Sequence, residues 1–401
     1  MNDVIYMDYS ATTPTRKEVI DAMMPYFEEN FGNPSSWYSI ARNTKKAVDE
    51  ARDKVANAIN AKAEEIYFTA GGCEADNWAI NGVAFANRKK GNHIITTTIE
   101  HHAIMNTFKY LSKQGFEVTY LPVDKDGLVN PEDVRNAIKD TTILVSVMYV
   151  NNEIGAIEPI KEIGAICREK KVYFHCDGVQ AVGHIPVDVV NDNIDMLSMA
   201  AHKFYGPKGV GALYIKKGVR IDNLIHGGGQ ERGKRATTEN IPGIVGMGVA
   251  IELAVAEMEE ESKRIGALRD RLLNGLVERI PHTKVNGPIG EKRSYNNVNC
   301  SFIGIEGEAM LLLLDSNKIC ASTGSACASG SLDPSHVLLA IGLPHGIAHG
   351  SVRLSLGRSN TEEQVDYVIE KLSEIVNRLR EMSPYWETFV KGGENYDDLF
   401  W

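Results

Sequence analysis

Short apolar runs alternate with helical stretches over the first half of the chain, and this alternation constrains the fold most. Residues 65–69 (EIYFT), 93–98 (HIITTT), 117–123 (EVTYLPV), 142–150 (TILVSVMYV) and 172–176 (VYFHC) are rich in β-branched and aromatic side chains. Such runs suit a pleated, buried surface and read as strands. Helical stretches near 73–89, 102–114, 131–139 and 160–170 lie between them. Strand–helix alternation predicts an α/β fold with a mainly parallel sheet and helices on its faces. Ligands of such sheets sit at the carboxyl ends of the strands. After about residue 240 the pattern changes to a long helical segment (242–280), then NNVNCSFIG (296–304), a helix near 306–316, ICAST (319–323), a turn-rich stretch (324–335) and VRLSLG (352–357). Val365, Val368, Ile369, Leu372, Ile375 and Leu379 then fall on one apolar helical face.

Composition narrows the function classes. A chain of 401 residues is long enough for two or three domains at ~150 residues each. The formal charge of −10 argues against a nucleic-acid backbone as partner. The six cysteines include no C-x-x-C pair, so neither a zinc ribbon nor a disulfide scaffold is expected. The first residues show no basic region followed by an apolar core, and no apolar run approaches the ~18 residues of a membrane span. The expectation is a cytoplasmic protein with reduced thiols and no membrane partner. No histidine pair combines H-x₃-H spacing with adjacent acidic helix residues, so no metal site is expected.

Four places could carry chemistry. Lys203 stands between a strand and a Gly/Pro turn in AHKFYGPKG. A lysine there is usually solvated, but a desolvated one can bind pyridoxal phosphate covalently. Such a site needs an acid for the pyridinium nitrogen, and Asp177 ends an apolar strand 26 positions earlier. Gly71-Gly72-Cys73-Glu74 closes a strand and opens a helix, where backbone N–H groups can cradle phosphate. Cys327 lies in STGSACASG, a loop of small residues that suits a travelling nucleophile; Cys167 and Cys300 sit in apolar runs and read as structural.

Nine segments occur in one order along the chain: MDYSATTP (7–14), FGNPSS (31–36), TIEHHA (98–103), VNNEIG (150–155), HCDGVQAVG (175–183), AHKFYGPKGVGALY (201–214), HGGGQERG (226–233), STGSACASG (322–330) and SVRLSLG (351–357). In these the chain resembles the NifS/IscS-like cysteine desulfurases, pyridoxal-phosphate enzymes of fold type I (aspartate-aminotransferase-like) in the class V aminotransferase family. The resemblance implies a large cofactor-binding domain over 13–259. It implies a smaller α+β domain from 1–12 and 260–401, carrying the cysteine loop at about 322–335. It also implies a homodimer that delivers sulfur to an acceptor protein, an iron–sulfur scaffold or a tRNA-thiolation enzyme.

The resemblance further implies roles. Lys203 would hold pyridoxal 5'-phosphate, Asp177 would pair with its ring nitrogen, and Gln180 would contact its hydroxyl. His101 would lie over the ring and move protons. Gly72, Cys73 and His202 would meet the phosphate, with Thr238 reaching it from the other subunit. Asn152 and Arg353 would bind the carboxylate of L-cysteine, and Cys327 would take its sulfur. Lys203, His202 and Arg353 would together make a cationic pocket. A selenocysteine lyase, another pyridoxal-phosphate lyase, or a non-catalytic sulfur-transfer scaffold are the alternatives.

The chain departs from the resemblance at five positions. Cys73 and Ala200 stand where Thr/Ser and Ser hydroxyls normally meet the phosphate. Thr237 replaces a Gly, Gly178 replaces an Ala beneath the ring, and Tyr38 occupies a common His position. Two lost hydroxyls would loosen a dianion's hold, so the expectation is a cup rebuilt on the backbone amides of 71–74 and on Thr237.

Overall fold

The computed structural model describes residues 4–323 and 334–392. Its strands, in chain order, are β1 (Ile5–Tyr6), β2 (Ile66–Thr69), β3 (His93–Thr97), β4 (Glu117–Leu121), β5 (Thr142–Met148), β6 (Tyr173–Asp177), β7 (Met196–Ala200), β8 (Gly211–Ile215), β9 (Thr283–Val285), β10 (Asn297–Phe302), β11 (Ile319–Cys320) and β12 (Ser351–Ser355). The helices in the first part are α1 (Lys17–Met23), α2 (Pro25–Glu28), α3 (Ser39–Ala58), α4 (Gly72–Asn87), α5 (His102–Lys113), α6 (Pro131–Ala137), α7 (Ile160–Lys170) and α8 (Gln230–Gly233). They continue with α9 (Ile241–Arg279), α10 (Gly307–Ser316), α11 (His336–Ala340), α12 (His345–Ala348), α13 (Glu362–Glu381) and α14 (Pro384–Val390).

The main sheet has seven strands in the order β2-β8-β7-β6-β5-β3-β4. All neighbours are parallel except β8, which runs antiparallel to both β2 and β7. Every residue of β3, β5, β7 and β8 is buried, as a sheet covered by helices on both faces requires. The five strands expected from apolar runs all form. The sequence reading did not single out β8, a five-residue strand (GALYI) that directly follows the Gly/Pro turn.

Helix α3 was likewise not singled out. Its Ala41, Thr44, Ala47, Val48, Ala51 and Val55 recur at helical spacing and are buried. It packs closely on α9, since a Cβ at Gly248 would stand 2.8 Å from the Cα of Ala51. Helix α9 contains an 18-residue window apolar enough by composition to cross a bilayer, contrary to the expectation that no run comes close. Its Ile241, Ile244, Met247, Ala250 and Ile251 instead join the core against the main sheet.

A second sheet, β12-β10-β9, is antiparallel. It shares a separate core with the second half of α9 and with α13, including Leu272, Val298, Leu354, Val368 and Leu372. β1 pairs with β11 in this region, and Asp8 bridges to Ser355 at the end of β12. A third apolar cluster joins Ile99, Met148 and Ile154 to Ile303, Val337 and Ile347. The carboxyl ends of β3, β5, β6 and β7 therefore open toward β12 and α11.

Candidate active site

Those strand ends enclose a cavity of about 360 Å³. Adjacent parallel strands bring its residues together: β5 leads to Asn152, β6 ends at Asp177, and β7 leads to Lys203. β3 leads to His101, and β12 supplies Arg353 from the opposite wall.

The Lys203 ammonium donates to the carbonyls of Ser10 and Ala11, the latter at 2.8 Å. Gln180 also donates to Ser10 O (2.9 Å), so the residues after β1 tie two expected cofactor ligands together. Burial lifts the Asp177 carboxyl to about 6, opposed by a hydrogen bond from the Val179 amide (3.0 Å) and by the charge of Lys203.

His101 caps α5, and its Nδ1 accepts the Ala103 amide at 3.1 Å. A neutral ring bonded this way carries its hydrogen on Nε2. Burial, Lys203, His102 and His336 push His101 down to about 4, so it is neutral at pH 7. His202 is likewise pushed down to about 4 by burial, Lys203 and Lys208, and its Nδ1 bonds Thr12 Oγ1 at 3.1 Å.

That result corrects the expected cationic pocket. His202 is uncharged at pH 7, and Arg353 is already paired: Nη2 donates to Asp8 Oδ1 (2.7 Å) and Nη1 to Asn152 O (3.0 Å). Arg353 is 2% exposed, and its Nε is buried with no hydrogen-bond partner among the described residues. Four acids also line the cavity: Asp76, Glu100, Glu153 and Asp177. Burial raises Asp76, with Asp177 adding repulsion, and burial raises Glu100. One oxygen of each, Asp76 Oδ1 and Glu100 Oε2, is buried without a hydrogen-bond partner among the described residues.

Gly72 opens α4 with no side-chain cap on the helix start, leaving its first amides to face an anion. A Cβ at Gly72 would lie 2.7 Å from Val179 and 3.6 Å from Ala200, so glycine keeps the wall open. Cys73 is exposed and lines the same wall. Glu74 in the first turn is held by Arg235 (2.7 and 2.9 Å) and by the Ala70 amide (2.8 Å). Arg235 belongs to a strained segment: Glu231 and Arg232 are left-handed, and Thr237 has φ of +152° where the resemblance expects glycine. Glu231 is anchored by a buried fork to Arg52 (2.7 Å twice).

Of the expected site residues, Gly72, Cys73, His101, Asn152, Asp177, Gln180, His202, Lys203 and Arg353 share the cavity. Thr238 is exposed and does not line it, and Cys327 lies outside the described residues. Sequence reasoning missed Asp8, Asp76, Glu100, Glu153 and His336. Asp8, Glu100 and Glu153 lie inside quoted segments, and their burial is what marks them. The donor set fits pyridoxal phosphate: an amine for its carbonyl carbon, a carboxylate for its ring nitrogen and a helix start for its phosphate.

Known proteins agree. Residues 5–368 match the family described as Aminotransferase class-V. The cysteine desulfurase IscS of Clostridium botulinum is 66% identical over 395 residues, covering 98% of this chain and 100% of the relative. A solved NifS-like protein superposes with a TM-score of 0.88 at 40% identity, covering 94% of this chain and 100% of that one. The structure of SspA in complex with cysteine gives 0.79 at 36% identity, covering 88% and 98%. With this geometry and these likenesses, the chain belongs to the class-V aminotransferases, among their pyridoxal-phosphate-dependent cysteine desulfurases.

Proposed function

We propose that the chain takes L-cysteine to L-alanine and carries the released sulfur as a persulfide on Cys327. The observation that carries this reading is the convergence of Lys203, Asp177, His101 and Arg353 on one cavity. The solved SspA structure holds cysteine, which supports the same substrate here. Pyridoxal phosphate, when bound, supplies a sink for the electrons left as the substrate's Cα–H bond breaks. Lys203 holds that group, and Asp177 keeps a positive charge on the ring nitrogen. Gly72, Cys73 and His202 face the phosphate.

Arg353 binds the substrate carboxylate from the cavity wall, beside Asn152. His101 is a poor proton acceptor while Lys203 is charged, because that charge is one cause of its low basicity. Once Lys203 gives up its charge, His101 becomes a better proton acceptor, at the Nδ1 lone pair that now takes the Ala103 amide, with the Nε2–H left to donate. The Cys327 thiolate forms an S–S bond to the substrate sulfur. The C–S bond breaks with its electrons left on carbon, which takes up a proton to give alanine.

We extend the reading to a homodimer. Trp37 (94% exposed), Phe31 (65%) and Phe27 (58%) form apolar surface near α2, and Thr238 is free of its own cavity. The core on the main sheet and the one shared by β12-β10-β9 with α13 support domains at 13–259 and at 1–12 with 260–401. A cytoplasmic setting with an iron–sulfur scaffold or tRNA-thiolation enzyme as acceptor completes the proposal.

Incubation with L-cysteine and a reductant should yield alanine and sulfide in equal amounts. Cys327→Ala should keep the cofactor and lose both products. Undiminished turnover by that variant would show the persulfide route to be wrong. Preference for L-selenocysteine would favour the lyase. Full cofactor occupancy without turnover of either amino acid would favour a scaffold.

A further inference from the structure

Both stems of the segment bearing Cys327 are tied to the carboxylate site. Before it, Ser322 and Arg353 exchange backbone hydrogen bonds of 2.6 and 3.2 Å. After it, Ser335 donates its hydroxyl to Glu153 Oε2. The same hydroxyl oxygen accepts the Val337 and Leu338 amides at 3.1 and 3.3 Å, capping α11. Glu153 is 4% exposed and lines the cavity with Arg353. Its backbone carbonyl accepts the Nδ2 groups of the Asn297 and Asn299 side chains (3.1 and 2.9 Å), which fix the backbone that carries it.

The charges near Arg353 cannot all stand. Its guanidinium already faces Asp8 at 2.7 Å. A substrate carboxylate at Arg353 would add a second anion beside that guanidinium, and ionised Glu153 a third. Like charges this close raise one another's proton affinity. Among the described residues, the titratable group next to Ser335 in the chain is His336, which burial pushes toward neutrality and whose Nε2 bonds Glu100 O (2.9 Å). Across the cavity stand His102, Glu100, Asp177 and Lys203, and the Lys203 ammonium is already engaged by the Ser10 and Ala11 carbonyls and by the charge of Asp177.

We propose that Glu153 is a positioning residue: it takes up one proton from solvent when the substrate's carboxylate occupies Arg353, and so slackens its hold on Ser335. The proposal rests on Arg353 as the carboxylate site. Burial already lifts the Glu153 carboxyl to about 7, against the pull of the Ser335 bond and of Arg353. A charge-assisted hydrogen bond weakens when its acceptor is neutralised. Occupation of the site thus reaches the stem that leads back to Cys327.

The test compares kcat/KM for L-cysteine in the native holoenzyme and in Glu153→Gln between pH 6 and 8. The substrate's own titrations cancel in the ratio. If only protonated Glu153 admits the carboxylate, the native-to-variant ratio falls about tenfold over that range, bending near 7. Ser335→Ala removes a bond that favours the anion, so its bend moves to higher pH; this variant serves if Glu153→Gln fails to fold. Calorimetry with L-alanine in two buffers at pH 7 should show about half a proton more taken up by native protein than by Glu153→Gln. A flat ratio, or equal proton uptake, overturns the proposal. An Arg353→Lys variant with unchanged KM would instead overturn the carboxylate site itself.

Discussion

Ala200→Ser should tighten cofactor binding, and the structure sets the size of the effect. Ala200 ends β7, is 1% exposed and lines the cavity beside the start of α4. A hydroxyl there faces the same anion site as the amides after Gly71. A hydrogen bond to a charged group contributes about 1.5–3 kcal/mol. At 1.4 kcal/mol per factor of ten, this is a dissociation constant roughly 10- to 100-fold lower. Without cofactor the new hydroxyl costs little, because the open cavity lets water satisfy it. The thermal midpoint of the cofactor-free variant should therefore match the parent, while that of the loaded variant rises. The assay is cofactor release on dialysis, followed by absorbance, with both midpoints measured alongside. Unchanged or faster release from a normally folded variant would refute the claim that a lost hydroxyl weakens this cup.

Gly178→Ala, the residue the resemblance expects, should destabilise this chain by about 1–3 kcal/mol. Its Cβ would stand 2.7 Å from Leu197 Cδ1 and 3.2 Å from Ser198 O, and Leu197 is fully buried; an unchanged urea midpoint would mean that Leu197 moves aside freely. Trp37→Asp should halve the sedimenting mass if the exposed apolar surface meets a second copy, and an unchanged dimer mass would place the interface elsewhere. Asp8→Asn keeps an oxygen for Arg353 but removes the anion that faces the guanidinium at 2.7 Å and repels an incoming carboxylate. KM for L-cysteine and the inhibition constant of L-alanine should fall together, and a rise in both would count against charge as the cause.

The strands were legible because burial on both faces forces near-continuous apolar runs, as in TILVSVM of β5. The face of α13 was legible because one buried stripe must recur at helical spacing. β8 was obscured because a short antiparallel strand with a leading glycine looks like the continuation of a turn. At the site, Lys203 and Asp177 were readable from their strand ends. Their chemical state was not: neutral His202 and the raised acids are products of burial, which only the fold determines. Asp76 illustrates the point, since an acid in the second turn of a helix normally reads as solvated, yet it is 1% exposed on the cavity wall. Thr237 shows the converse, a non-glycine residue held in a backbone conformation suited to glycine by a segment anchored through Arg52–Glu231 and Arg235–Glu74.

A carboxylate site already offset by an acid suits this reaction better than the cationic pocket that the resemblance implies. L-cysteine and L-alanine carry the same carboxylate and the same amine, so both meet Arg353 alike. Binding energy spent on those shared groups lowers KM without speeding the chemical step, and it holds product as firmly as substrate. Asp8 offsets the guanidinium, and Glu153 adds a proton requirement to its occupation. Each limits how tightly any α-carboxylate is held. The sulfur atom is what separates substrate from product, so discrimination falls to the thiol that removes it. A carboxylate site that orients its guest through Arg353 and then releases it leaves that discrimination to Cys327.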